Sequence, residues 1–232
     1  MKRFLRAPRC QLMLTRAGAI SSLAALLLIL QSAPLQAVAA TCSTDGNHWY
    51  AQARSGCCDV GTLQNTAVPT KWSVDHSANS TTDEGTWIID NNNGNVAIES
   101  GYYSGYFPYD GSWTNGLHPY YTINNGGSGQ HSGTYLTAGS QYGIDAVSGG
   151  RADIGSTRFN LNYSVPNGFN FGMGEVVSST STWMGGGAGE SFQAYWSPNG
   201  SSWYLWGFNN DCNNSPYWIH HSSGSNWSNG GY

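Results

Sequence analysis

The sequence predicts an all-β protein: an antiparallel double-sheet jelly roll or β-sandwich, secreted and stapled by disulfides. Three observations carry this. Helix signals are nearly absent, and Gly (31 residues), Asn, Ser, Thr, Tyr and Trp dominate, which favours short strands and turns. Roughly ten short strand-like stretches recur between Gly, Asn and Pro turns. The first 40 residues follow the order of a secretory signal, after which an even number of cysteines remains for an oxidising compartment.

That leader, residues 1–40, carries Lys2, Arg3, Arg6, Arg9 and Arg16, then an apolar run centred on Leu23–Leu30, then Ala37-Val38-Ala39. The run is short for a membrane span, so cleavage after Ala39 or Ala40 is expected, and no membrane contact after it. Of 232 residues, 192 then remain, enough for one domain with a core. Arg54, Lys71, Arg151 and Arg158 face all 13 Asp and Glu, giving a mature net charge of −9. Such a surface repels polyanions, which excludes nucleic acid as a partner. A monomer is expected.

Cys10 leaves with the leader, and Cys42, Cys57, Cys58 and Cys212 stay. Adjacent Cys57 and Cys58 are badly placed to pair with each other. One is expected to bond Cys42 and the other Cys212; zinc is the alternative, without paired Cys-x-x-Cys knuckles. Residues 41–83 read as an irregular cysteine-containing segment, and 84–232 as the sandwich. Within the sandwich, Thr86–Asp90 is a strand, Asn93-Gly94 a hairpin turn and Asn95–Phe107 the returning strand. Tyr120–Ile123, Tyr135–Thr137 and Gln141–Val147 follow. Arg158–Val165 alternates, with Phe159, Leu161, Tyr163 and Val165 on one face. Asn170–Ser178, Ser191–Trp196, Ser202–Phe208 and Tyr217–His220 complete the set.

Two glutamates stand out in this charge-poor chain. Glu99 lies in Ala97-Ile98-Glu99-Ser100-Gly101 and Glu175 in Gly172-Met173-Gly174-Glu175-Val176-Val177. Period-two alternation groups Glu99 with Ala97, Gly101 and Tyr103, and Glu175 with Phe171, Met173 and Val177. A carboxylate among apolar neighbours costs desolvation energy unless it is hydrogen-bonded or used. Two such carboxyls brought together would share a proton, one serving as base on water and the other as acid toward a developing oxyanion. The plain alternative is two solvated glutamates on outward faces.

The stretch Trp87-Ile88-Ile89-Asp90, a short turn and Ala97-Ile98-Glu99-Ser100-Gly101 resembles the opening of glutamic peptidases of the eqolisin type. There a Trp-x-x-x-Asp-like strand precedes one of the form Ile-Leu-Gln-x-Gly. Gly174-Glu175-Val176-Val177 resembles their Ala-Glu-Trp-Ile strand. Glu99 stands where eqolisins have glutamine, although neprosin-like peptidases carry a glutamate there; Val176 stands in place of tryptophan. The likeness spans residues 84–180. It implies an acid-acting endopeptidase on a polypeptide substrate, with Glu175 as general base and Glu99 as protonated partner. It further implies Trp87 and Asp90 as residues that contact substrate or support the catalytic pair, and no metal or cofactor, while Tyr103, on the face of Glu99, is expected to line the cleft.

Two other classes stay open. Ile98-Glu99-Ser100-Gly101-Tyr102 resembles the nucleophile strand of small xylanases, which use two glutamates on a glycan. Their acid/base glutamate lies close to the C-terminus, however, whereas 57 residues follow Glu175, and no Glu-x-Asp-x-Glu pattern of laminarinases occurs. A non-catalytic carbohydrate binder would use some of Trp183, Trp196, Trp203, Trp206, Trp218 and Trp227 for stacking, against their simpler role as core. Adjacent His220 and His221 point to opposite strand faces and chelate poorly, and His118 and His131 read as hydrogen-bonding loop residues. No Gly-x-Ser-x-Gly elbow or phosphate-cradling loop occurs.

Overall fold

The computed structural model describes residues 40–42, 47–185, 190–206, 210–221 and 226–231. The expected leader therefore lies outside the described residues, apart from Ala40. In chain order the strands are β1 (Ala40–Thr41), β2 (His48–Asp59), β3 (Gly61–Ala67), β4 (Trp72–Ser73), β5 (Thr81–Asp90) and β6 (Val96–Phe107). Next come β7 (Ser112–Ile123), β8 (Ser128–His131), β9 (Gln141–Val147), β10 (Arg151–Ile154), β11 (Thr157–Asn160) and β12 (Gly168–Val177). The last are β13 (Trp183–Met184), β14 (Glu190–Ser197), β15 (Tyr204–Leu205), β16 (Asn210–Asn213), β17 (Trp218–His221) and β18 (Asn226–Gly230). Among the described residues the single helical turn is a three-residue 3-10 segment, His76–Ala78, and no described helix is long and apolar enough to cross a membrane.

Two large sheets form the sandwich. One runs β1-β16-β2-β12-β5-β6-β7-β8, the other β11-β10-β9-β3-β14-β18-β17 with β15 beside β14. All pairings are antiparallel except β1 with β16. The sandwich architecture is thus the one the sequence predicts, disulfide included.

Alternation sorts each central strand cleanly. On β5 and β6, Ile88, Ile98 and Tyr102 point between the sheets, where they meet Ile144, Ala146 and Ile154. Some of the polar residues on this inner face are paired across the gap. Thr62 Oγ1 lies 2.5 Å from Thr86 Oγ1, and Asn229 donates to Glu84 Oε2 at 2.8 Å. The odd-numbered residues Asp83, Gly85 and Trp87 on β5, and Glu99, Gly101 and Tyr103 on β6, therefore face away from the second sheet. That outer face holds its own apolar cluster of Cys42, Tyr50, Trp87, Ile89, Met173 and Cys212.

Several expectations change. The stretch 41–83 is not irregular: β2 and β3 are interior strands, each paired on both sides. Its pattern hides this because Thr62, Gln64 and Thr66, all buried, are the inward residues of β3. Tyr135–Thr137 forms no strand; Leu136 is held by one backbone bond to Leu117 O. Of the 158–165 stretch only 158–160 is strand, as part of Thr157–Asn160, but its face is as read: Leu161 and Val165 are buried and Phe159 and Tyr163 pack on the same cluster. Within the described part of the 202–208 stretch the strand is Tyr204–Leu205, both exposed, and 207–208 lie outside the described residues.

The cysteine pairing also differs. Cys42 bonds Cys212 directly, with Cα atoms 4.8 Å apart. The parallel register of β1 on β16, which sets Ala40 opposite Cys212, brings the two together. The side chains of Cys57 and Cys58 lie outside the described residues. The Cys42–Cys212 bond closes a separation of 170 residues, so it restricts the unfolded chain strongly. Cys42→Ser should cost about 2–4 kcal/mol, read as a lower urea midpoint with an unchanged near-UV spectrum before unfolding.

Candidate functional site: a carboxyl cluster on the outer sheet face

The antiparallel register lays Tyr50, Glu175, Asp83, Tyr103 and His118 side by side across β2, β12, β5, β6 and β7. Glu99 lies four residues before Tyr103 on the same face of β6. Between these two rungs stand Gly85 and Gly101, opposite each other. A Cβ on Gly101 would sit 2.1 Å from Glu84 O, and one on Gly85 would sit 2.2 Å from Ser100 O. No side chain fits at either glycine, so neither puts one between Glu99 and the carboxyls of the next rung.

The result is a cluster. Carboxyl oxygens of Asp83, Glu99 and Glu175 all lie within 4.8 Å of one another. Among the described residues no other three His, Cys, Asp or Glu side chains come together this way. The cluster is bonded into its surroundings. Tyr120 Oη donates to Glu99 Oε1 at 2.7 Å and lies 3.1 Å from Asp83 Oδ1. Thr122 Oγ1 donates to Glu99 Oε2 at 2.9 Å, and His48 Nδ1 hydrogen-bonds Glu175 Oε1. Asp83 and Glu175 are buried, while the His48 ring is 36% exposed.

Burial and charge crowding are both felt at Asp83. Burial, and then the neighbouring Glu175 and Glu99 charges, push its carboxyl well above the usual carboxylate range, against the opposing effect of the contact with Tyr120. Burial, reinforced by Asp83 and Glu99, likewise pushes the Tyr120 phenol well up, so it stays a neutral donor. The cluster floors a cleft of about 410 Å³. Its walls include His48, Tyr103, Tyr106, Phe107, Pro108 and Tyr109, a mostly aromatic surface.

The sequence-predicted residues fare differently. Glu99 and Glu175, 76 positions apart, meet across three strands, and Tyr103 lines the cleft. Trp87 sits opposite Glu99 in register but packs edge-on against Tyr50, with ring centroids 5.8 Å apart, in the apolar cluster of the outer face. Asp90 is not a cleft residue. It ends β5 and accepts from Asn92 N at 2.9 Å and Asn92 Nδ2 at 2.8 Å, which shapes the hairpin turn. Two site residues escaped the sequence reading. Asp83 lies just before the assumed start of the sandwich, and His48 within the stretch read as irregular. Extending the β5 alternation back from Trp87 through Gly85 would have found Asp83.

No protein-family model and no curated protein matches this chain. Among solved structures, a toad ovary galectin in complex with thio-digalactose is similar at 8% identity and a TM-score of 0.32, over 56% of this chain and 92% of that one. A native heptameric SAP-like pentraxin from Limulus polyphemus is similar at 12% identity and a TM-score of 0.34, over 67% and 73%. At these scores neither likeness bears on function.

The raised Asp83 carboxyl fixes a stability trend. Between the unfolded value of 3.8 and its higher folded value, the folded chain keeps a proton that the unfolded chain has lost. Stability contributed by this group is full below pH 3.8 and declines as pH rises. Asp83→Asn, isosteric and uncharged, should therefore raise the melting temperature relative to the parent at pH 7 and match it at pH 3.

Proposed function

We propose that the protein is a secreted, acid-acting endopeptidase that cleaves polypeptides with a glutamate-activated water. The observation that carries this reading is the approach of Glu99 and Glu175 to within 4.8 Å, oxygen to oxygen, on the floor of an open cleft. One water held at about 2.8 Å from each of two oxygens spans up to about 5.5 Å, so the pair can share a water. Glu175 is the base: it takes a proton from the water as the oxygen adds to the scissile carbonyl carbon. The bond to His48 orients its carboxylate and, when the ring is protonated, favours the ionised form. Glu99, protonated, donates to the carbonyl oxygen as negative charge develops there. The eqolisin-like motifs around both residues favour an amide substrate, and the cleft's aromatic walls suit apolar side chains flanking the bond.

A second reading is a carbohydrate-active or carbohydrate-binding jelly roll, favoured by Tyr106, Phe107 and Tyr109 in the cleft wall, which offer ring faces for stacking. A glycosidase of the retaining type would hold its carboxyls about 5–5.5 Å apart, so spacing alone does not separate the two.

Hydrolysis of an unfolded protein substrate from pH 3 to pH 8 separates them. The expected outcome is cleavage that peaks in acid, survives EDTA and falls about 10²–10⁴-fold in Glu175→Gln. Full activity at pH 8 with none at pH 4 would overturn the peptidase reading. So would the absence of cleavage at every pH from folded protein, and turnover or retention of neutral polysaccharides would then favour the second.

A further inference from the structure

Hydrogen counting around Tyr120 leads one step beyond the glutamate pair. Its hydroxyl carries one hydrogen but contacts two carboxyl groups, Glu99 at 2.7 Å and Asp83 at 3.1 Å. If both carboxyls were ionised, one of these contacts would set two acceptor oxygens against each other. The shorter contact takes the phenol's hydrogen, so the longer one is satisfied when Asp83 bears a proton and donates it to Tyr120 Oη. The surroundings agree. Asp83 is 5% exposed and is faced by Glu175 and His48 from β12 and β2, by Glu99 and Tyr103 from β6, by Tyr120 from β7 and by Tyr109 from the turn between β6 and β7. Of these only His48 can be positive, and it hydrogen-bonds Glu175.

We propose that Asp83 stores the proton of this site and passes it to Glu99 through Tyr120. In the transfer Asp83 Oδ1 gives its proton to Tyr120 Oη while Tyr120 gives its own to Glu99 Oε1. Asp83 ends as a carboxylate, Glu99 as an acid and Tyr120 unchanged. The chain supplies Glu99 with a proton under conditions where an isolated glutamate would be ionised, so activity reaches further toward neutral pH than a bare glutamate pair would allow. The functional half of this inference rests on the peptidase reading; the seat of the proton does not.

Two measurements test it together. The first is a titration of carboxyl carbons by NMR in the 13C-labelled protein, which needs no activity. One aspartate signal is expected to titrate well above the rest and to vanish in Asp83→Asn but persist in Tyr120→Phe. The second is the pH dependence of cleavage in the same proteins. In both variants the alkaline limb should move toward acid by at least about one pH unit, roughly tenfold in rate on that limb, with KM little changed. If Asp83 titrates with the ordinary carboxyls, the store is overturned. If either variant folds and keeps the parent limb, the path is overturned, because a merely structural Asp83 or Tyr120 would lower stability without moving the profile. A parent protein that cleaves nothing would overturn the peptidase reading, and the titration would still decide where the proton sits.

Discussion

Three carboxyl groups within 4.8 Å of one another, mostly shielded from water, are the constraint around which the outer face of the larger sheet is arranged. Like charges this close cannot all be ionised at ordinary cost. Each of the surrounding features answers that cost. Tyr120 and Thr122 donate to Glu99, and His48 bonds Glu175. Burial and its two neighbours push the carboxyl of Asp83, the member with the least water, well above the usual carboxylate range. Even the glycines belong to this arrangement, since Gly85 and Gly101 clear the sheet surface between Glu99 and the other two.

The rest of the sandwich holds the cluster rigid. The five strands that supply it, β2, β12, β5, β6 and β7, are neighbours in one sheet, so backbone hydrogen bonds fix the spacing of their side chains. The inner faces of β5 and β6 pack against the second sheet through Ile88, Ile98 and Tyr102. Also on the outer face, Cys42, Cys212, Tyr50 and Trp87 belong to one apolar cluster, with Cys42 bonded to Cys212 and Tyr50 edge-on to Trp87. A site built on strands in this way is positioned more accurately than one carried on loops.

Much of this was legible in the sequence. Alternation put Glu99 with Gly101 and Tyr103, and Glu175 with Met173, on one face each, and the structure keeps both groupings. Glycine-rich turns and β-formers gave the two-sheet class. What stayed hidden has a physical cause. β3 turns Thr62, Gln64 and Thr66 inward, so a strand central to its sheet carries no apolar stripe. Asp83 adjoins Glu84, and only the strand's parity reveals that one faces the cleft and the other the inter-sheet gap. The Cys42–Cys212 pairing depends on β1 lying parallel to β16, a long-range contact no local pattern announces. Asp90 looked like a cleft residue because it belongs to a motif-like stretch; its carboxylate is spent on the turn.

The central claim is that Glu175 activates a water and does not itself attack the substrate. Single-turnover cleavage of a polypeptide in 18O-enriched water tests this most directly. One 18O atom in each new C-terminal carboxylate, with none in the enzyme, is the expected result. Label incorporated into the side chain of Glu175, which would mark it as a nucleophile forming a covalent intermediate, would contradict the account.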